Sequence, residues 1–186
     1  SLGAISRKVA RLLTSHQVLV FKPIVVRKVL VQLNRRAGEI RYRRRSPKAG
    51  GVLDLFQDLV HFTRVFPHER LTLEVPLVEI EEWRYPGHGR RRRWRAGDYQ
   101  IEDQRLIAIH ETYTLRTAAQ LTDLLGVQLP ATFHTGHLAA LLGRPRWEAQ
   151  KIAYCLRETG AVETVGKEGN AWLYKLPRRR KLARSA

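Results

Sequence analysis

Alternation of apolar and polar positions predicts a β-hairpin near the start of the chain. Residues 18–33 are rich in valine and leucine and form one long strand or two, because Pro23 cannot donate to a central ladder. Residues 34–38 (NRRAG) are typical of a turn. Residues 39–45 then alternate Ile40 and Tyr42 with arginines, which predicts the return strand of the hairpin.

Two further strand patterns lie in the middle of the chain. Residues 70–83 alternate apolar and polar side chains up to Pro76, where the phase changes and the proline indicates a sheet edge or a bulge. Residues 99–113 predict a bent strand or a strand pair that completes a sheet. We expect three residues of this segment to enter the core: Leu106, Ile107 and Ile109.

Helical spacing occurs twice in the same half, at residues 5–13 and 52–62. A basic, glycine-rich loop at 43–51 leads into the second of these helices. Free N–H groups and the positive end of a helix dipole favour an anion at such a place. The loop lacks the spacing of a nucleotide-binding phosphate loop, so a solvated connector is the alternative to a phosphate site.

The C-terminal part has the best-defined order of elements. Residues 132–176 predict a short strand, a helix, a tight turn at Gly143, a second helix, and a hairpin around the loop 166–170. Pro145 can take the first position of the second helix, and Gly160 is typical of the residue after its end. This helix has one apolar stripe, formed by Ala149, Ile152, Ala153 and Leu156.

With glycine or proline at its turns (Gly143, Pro145, Gly160, Gly166 and Gly169), this order resembles the winged helix-turn-helix superfamily. Residues 117–126 would supply the first helix, so the resemblance covers about a third of the chain. It rests on element order, without a chemical signature. The resemblance implies a domain that usually binds duplex DNA with its second helix in the major groove, although some winged helices are protein–protein modules.

Composition points to the same class of partner. The 186 residues include 34 basic and 17 acidic side chains, for a net charge of +17. Such a chain attracts polyanions, nucleic acid before an acidic membrane surface. The basic surplus is 11 in residues 1–116 and 6 in residues 117–186, so we expect both parts to contact the same polymer.

The single cysteine, Cys155, lies next to the apolar stripe of the second helix, which predicts core packing. A lone cysteine also fits a reducing compartment, so we expect a cytoplasmic protein. No run approaches the roughly 18 apolar residues that indicate a membrane helix. We therefore expect no membrane partner.

The predicted nucleic-acid interface combines the second helix, the hairpin tip, two basic loops and a basic tail. Side chains of the helix are positioned to reach bases or phosphates, and the others to contact the backbone. The arginines at 90–93 are bracketed by Trp83, Tyr85 and Trp94, a combination that neutralises phosphates and stacks on bases. The predicted residues are Arg144, Arg146, Gln150, Lys151, Tyr154, Arg157, Lys167, Arg178, Arg179, Arg180, Arg90, Arg91, Arg92, Arg93 and Lys48.

A metal-dependent nuclease of the restriction-endonuclease-like fold is the main alternative. Such sites hold Mg²⁺ with carboxylates at a sheet edge, and the candidates are Asp54 or Asp58 with Glu74 and Glu79. The pattern of that fold places Glu-x-Lys on a central strand, but here Pro76 takes the place of the lysine. We therefore predict no catalytic residue, no metal site and no cofactor. An RNA-binding ribonucleoprotein subunit is the third possibility, with DNA favoured over RNA.

The predicted fold is α+β. A β-rich N-terminal domain (1–115) packs with a C-terminal winged-helix domain (116–177), and a basic tail follows (178–186). The N-terminal part also resembles uncharacterised bacterial proteins in which a hairpin and an LDLF-like helix, here residues 53–56, precede a winged helix. No activity follows from that resemblance. DNA-binding regulators usually dimerise, so a homodimer or larger assembly is also considered, although no heptad repeat indicates how it would form.

Overall fold

The fold is α+β, as predicted, and the computed structural model describes it over residues 1–87 and 98–177. The helices of this part are α1 (Leu2–Leu12), α2 (Leu55–Leu59), α3 (Ala119–Asp123), α4 (Thr135–Leu142) and α5 (Arg146–Glu158). The strands are β1 (Val18–Phe21), β2 (Ile24–Leu33), β3 (Ile40–Arg45), β4 (Leu71–Pro86), β5 (Tyr99–Leu115), β6 (Glu163–Glu168) and β7 (Ala171–Lys175). Within the described ranges, no helix has the length and apolar character needed to cross a membrane.

The chain forms two compact units, each assembled from separate segments. Unit 1 comprises Ser1–Val20, Leu55–Leu73 and Thr114–Ala186, and unit 2 comprises Phe21–Asp54 and Glu74–Tyr113. One boundary lies between Tyr113 and Thr114, near the expected residue 115, but two N-terminal segments also belong to unit 1. The reason is packing between segments distant in sequence: the first helix and the 55–73 segment share a core with the C-terminal helices.

The larger sheet is built around β4. β1 and β2 pair with successive parts of this strand: the N–H of Lys22 donates to the carbonyl of Glu74 (2.8 Å), and Ile24 lies opposite Leu77. β2 runs parallel to β4 and antiparallel to β3, while β5 pairs with β4. Pro76 therefore lies between the two pairings. The register of β2 on β4 shifts between Val25 and Arg27, opposite Val78 and Glu79, so this irregularity lies in β2 and two residues beyond Pro76.

Unit 1 is organised around an apolar core. Short α2 packs against both α1 and α5, and Phe56, Phe62, Phe66 and Phe133 are fully buried. The segment predicted as one helix over 52–62 is a 3-10 turn followed by α2, so its helical part is shorter than expected. The predicted stripe of α5 is confirmed, because Ala149, Ile152, Ala153 and Leu156 are all buried.

The element order predicted for residues 117–176 is present in unit 1. Gly143 ends α4 in the left-handed conformation (φ 59°), and Pro145 precedes the first residue of α5. The short strand is a bridge between Phe133 and Tyr174. The hairpin is tighter than expected, since Glu168 still pairs with Ala171 and the register shifts just before Gly166, within β6.

The expectation that β5 contributes to the core is wrong. Leu106, Ile107 and Ile109 are 60%, 53% and 57% exposed, and nearly every residue of this strand is at least partly exposed. Apolar residues at these positions correctly indicated a strand. They could not indicate whether another layer covers it, and in the described part of the chain none does.

Candidate functional site

The exposed face of α5 is the strongest candidate surface in unit 1. Arg146, Gln150 and Tyr154 follow at intervals of four residues, which places them on one side of the helix. All three are exposed, and Tyr154 is 40% exposed. Within the described residues, Arg146 has no carboxylate within ion-pair distance. These three residues are therefore accessible on one side of the helix, and their role in binding nucleic acid stays a prediction.

The other three residues predicted on or beside α5 have intramolecular partners. Lys151 Nζ donates to Gln57 Oε1 on α2 (2.5 Å). Arg157 donates to Glu158 Oε1 (2.7 Å), and this hydrogen bond raises the pKa of the Arg157 guanidinium. Arg144 lies 3.5 Å from Glu148, one turn along. These cations are half-buried rather than freely presented to a ligand.

Two tryptophans beside these residues were missed by the sequence reasoning. Trp147 of α5 is 52% exposed, with Lys151 Nζ 5.0 Å from its ring centroid. Trp172 of β7 is 46% exposed, with Lys167 Nζ 4.3 Å from its ring centroid. A signal was available for Trp147, because a large apolar residue off the buried stripe of an amphipathic helix is expected at the surface. Each lysine–tryptophan pair offers a cation beside a flat stacking surface.

The hairpin carries Lys167 near its tip, as predicted, and its other charged side chains have close neighbours. Lys175 Nζ lies 3.4 Å from Glu163 across the strands. Glu168 lies 3.8 Å from His134. Nδ1 of His134 accepts the N–H groups of Gly136 and His137 and so caps the start of α4. Lys167 is therefore the residue of the hairpin best placed to meet an anion.

An open cleft extends the surface of α5 toward α1. Tyr154 lines it together with Arg7 of α1 and with His61 and Arg64 from the segment after α2. Neither arginine has a carboxylate partner among the described residues. Because these segments are distant in sequence, only the folded chain brings their charges together. The cleft adds positive charge beside the exposed face of α5.

Unit 2 holds a second basic surface, on β3. This strand lies at an edge of the sheet and all six of its residues are exposed. Arg43 is bound to Glu81 of β4 (2.7 Å), whereas Arg41, Arg44 and Arg45 have no ion-pair partner in the part of the chain that the structure describes. The sequence pattern placed Arg41 in the return strand and Arg44 and Arg45 in the candidate phosphate loop 43–51, but these arginines were not included in the predicted interface.

The glycine-rich loop before α2 does not form the phosphate cradle considered above. The N–H of Gly51 donates to Asp54 Oδ2 (3.0 Å), so a carboxylate of the protein occupies the place of an anion. Gly50 allows the loop to approach β2 closely, because a Cβ at this position would lie 2.4 Å from the carbonyl oxygen of Val25. Helix α2, with five residues, is too short to provide a substantial dipole. Lys48 is exposed, in unit 2.

Two predicted basic clusters lie outside the described residues. They are Arg90, Arg91, Arg92 and Arg93, and Arg178, Arg179 and Arg180.

The carboxylates proposed for a nuclease site do not converge. Within residues 1–87 and 98–177, no three His, Cys, Asp or Glu side chains lie close enough to hold a metal ion. The carboxylate of Asp54 accepts the N–H of Gly51. Oε2 of Glu79 lies 3.2 Å from the guanidinium of Arg27 and 3.4 Å from Nε2 of His110. The geometry gives the nuclease alternative no support.

Cys155 packs in the core, as predicted from its place beside the apolar stripe. It is fully buried, and its Sγ lies 3.8 Å from the carbonyl oxygen of Phe56. Burial raises the pKa of this thiol to about 12, and Glu158 contributes to the same shift. The thiol is therefore protonated at neutral pH and is not a nucleophile.

Comparison with known proteins identifies relatives without an assigned function. A family model described as a domain of unknown function (DUF8091) matches residues 1–116. An uncharacterized protein of Treponema pallidum (strain Nichols) is 27% identical over 180 residues, which cover 94% of this chain and 67% of that protein. No solved structure gives a significant match.

Proposed function

The chain belongs to the DUF8091 family, and for this member we propose binding of nucleic acid, preferentially duplex DNA. The proposed DNA-contacting domain is a winged helix formed by α3, α4, α5 and the β6–β7 hairpin. In this arrangement α5 enters the major groove and the hairpin tip follows the backbone. The family description assigns no activity, so the proposal rests on the chain's own residues.

The observation that carries the proposal is the exposed face of α5. An arginine, a glutamine and a tyrosine on one helical face (Arg146, Gln150 and Tyr154) supply the donors, acceptors and stacking surface suited to base edges and phosphates. The buried stripe on the opposite side fixes the helix in unit 1. A helix that enters the major groove must be packed against its domain on one side and accessible to the DNA on another, and α5 meets both conditions.

Basic side chains elsewhere in unit 1 also favour nucleic acid as the ligand. Arg7 and Arg64 line the cleft beside Tyr154, and Lys167 is exposed at the hairpin tip. Each cation that neutralises a phosphate releases counterions, so affinity should fall steeply as salt rises. The basic strand β3 is a further surface of unit 2 that can bind the same polymer.

The test is a fluorescence-anisotropy titration of the full chain with duplex DNA, single-stranded DNA and folded RNA at two salt concentrations. We expect the tightest binding to duplex DNA and a strong loss of affinity at the higher salt. Salt-insensitive binding of micromolar affinity or weaker to every duplex would refute the proposal. Tighter binding of folded RNA than of DNA would instead favour the ribonucleoprotein alternative.

A pair of variants locates the interface. The double variant Arg146→Ala, Gln150→Ala should weaken duplex binding by about 2 kcal/mol, roughly thirtyfold. Arg11→Ala is the matched control, because Arg11 is an exposed arginine of α1 that does not line the cleft. Its loss should change affinity only slightly. Equal losses of affinity for the two variants would mean that binding depends on the total positive charge of the chain and not on the exposed face of α5.

A further inference from the structure

Strand β5 presents an unusual edge to solvent. Among the described strands, its only neighbour in the sheet is β4, so its other backbone edge has no strand partner. The strand is 17 residues long, and its exposed residues include Ile101, Leu106, Ile107 and Ile109. A long edge strand with exposed apolar side chains is a template for pairing with another strand. Native proteins cover such an edge or protect it with charges, bulges or proline.

The charge on β5 distinguishes it from the surfaces proposed for nucleic acid. Residues 98–113 contain four acidic side chains and a single arginine, Arg105. A polyanion is therefore an unsuitable ligand for this edge. The occupant should be another strand with apolar residues, and a second copy of β5 fits only in a register that sets Arg105 against an acidic residue.

We propose that β5 pairs with β5 of a second copy of this chain, antiparallel and about a two-fold axis at Ala108. This register places Ile107 opposite the partner's Ile109, and by symmetry Ile109 opposite the partner's Ile107. It also places Arg105 opposite the partner's Glu111. The two strands together form a continuous sheet across the dimer.

The sequence of β5 favours this register over two alternatives. A pairing centred on Ile107 sets Asp103 opposite the partner's Glu111, and a pairing centred on Arg105 sets two arginines against each other. Like charges directly opposite in a sheet are destabilising, whereas opposite charges and paired β-branched residues are stabilising. The axis at Ala108 pairs isoleucine with isoleucine and Arg105 with an acidic residue, and it lies near the middle of the strand, so most of Tyr99–Leu115 can pair. Self-complementarity of this kind is what a two-fold interface requires.

Sedimentation velocity on the nuclease-treated full chain tests the proposal. We expect a species of twice the 21.5 kDa chain mass, in moderate salt so that the net charge of +17 is screened. Ile107→Lys introduces a charge at the centre of the interface and should weaken dimerisation about 100-fold. Ile40→Lys is the matched control, because it makes the same change on the other edge strand, β3, where Ile40 is 44% exposed.

A charge exchange tests the register itself. Arg105→Glu alone should weaken the dimer, since the introduced carboxylate would face the partner's Glu111 and since the ion pair that orients Arg105 on Asp103 of its own strand (2.9 Å) would be lost. Glu111→Arg alone should weaken it by setting two arginines against each other. The double variant Arg105→Glu, Glu111→Arg should restore the dimer to within about threefold. Circular dichroism of each variant checks that it is folded.

Three outcomes would overturn the proposal. The unaltered chain could remain a monomer at every concentration reached. A dimer could dissociate with Ile40→Lys and not with Ile107→Lys, which would place the interface on β3. The double charge exchange could fail to restore a dimer that both single variants weaken, which would exclude this register. Each result is independent of whether the chain binds nucleic acid.

Discussion

Unit 1 and unit 2 differ in whether they bury a charged side chain. Apart from Thr159, the buried residues of unit 1 are apolar, with Phe56, Phe62 and Phe133 fully enclosed, and the ion pairs lie at the surface. Unit 2 buries apolar side chains and also a carboxylate: Glu82 is 2% exposed and is bound by Lys28, Arg84 and Gln104. On β5 of the same unit, isoleucines are exposed.

The difference shows how one basic sequence can use its charge in two ways. Residues 21–54 contain ten basic and two acidic side chains, and several of these cations are neutralised by glutamates of β4. Unit 1 has ion pairs at its surface, such as that of Lys175 with Glu163, while Arg7, Arg64 and Arg146 have no carboxylate partner in the described chain. Both units therefore combine paired and unpaired cations, because Arg41, Arg44 and Arg45 of β3 also have no ion-pair partner among the described residues.

The largest effect is expected from breaking the apolar core of unit 1. Phe56→Ala should lower the free energy of unfolding by about 3–5 kcal/mol, because the ring is fully buried between elements. Leu106→Ala removes a side chain that is 60% exposed and should change stability by about 0.5 kcal/mol or less. Urea unfolding followed by circular dichroism measures both. Equal losses of unfolding free energy for Phe56→Ala and Leu106→Ala would show that the difference in burial between the two side chains does not determine stability.

The next effect is expected in the charged interior of unit 2. Burial by itself would raise the pKa of Glu82, but hydrogen bonds from Lys28, Arg84 and Gln104 outweigh it and place the pKa below the ordinary value of 4.5. The carboxylate form therefore stabilises the fold above that value, and this contribution is lost as pH falls through the lowered pKa. Glu82→Gln should cost about 1–3 kcal/mol at pH 7.

A matched variant and the pH profile check this expectation. Glu39→Gln makes the same change of charge on an exposed residue and should be close to neutral. The difference in stability between the unaltered chain and Glu82→Gln should shrink as the pH is lowered below about 4.5. A difference that is constant from about pH 7 to about pH 3 would mean that the charge of Glu82 is not what stabilises unit 2.

The smallest effect is expected at the turn before α5. Gly143 has φ 59°, and an added Cβ would meet no atom within 4 Å. Gly143→Ala should therefore cost only the backbone penalty of the left-handed conformation, about 1 kcal/mol. Gly143→Asn should cost less, because asparagine adopts this conformation more readily. Thermal unfolding of the two variants compares them, and a larger loss for asparagine would contradict this account of the turn.

The local elements were largely predictable from the sequence. The apolar stripe of α5, the glycine after α4 and the β2–β3 hairpin follow from periodicity and turn chemistry, which act over a few residues. The exposed residues Arg146, Gln150 and Tyr154 were identified for the same reason, since the side of a helix opposite its apolar stripe faces solvent.

Properties that depend on distant partners were not predictable. Nothing near Lys151 in the sequence indicates that Gln57 binds it, because the two lie 94 residues apart. The exposure of Ile107 depends on the absence of a covering layer in the described chain, which the alternation of a strand does not encode. The assembly of unit 1 from three separate segments could not be read from a single sequence for the same reason.

That assembly also determines when the chain can fold during synthesis. The contact between Phe56 and Cys155 joins residues 99 positions apart, so α1 and α2 leave the ribosome well before their partner α5 exists. The apolar surfaces of these segments that pack against α5 stay exposed to solvent or chaperones until α5 has been synthesised. The stretch matched by the family model, 1–116, ends before α5 begins. Expressed alone, it would lack the helix against which its own first segments pack.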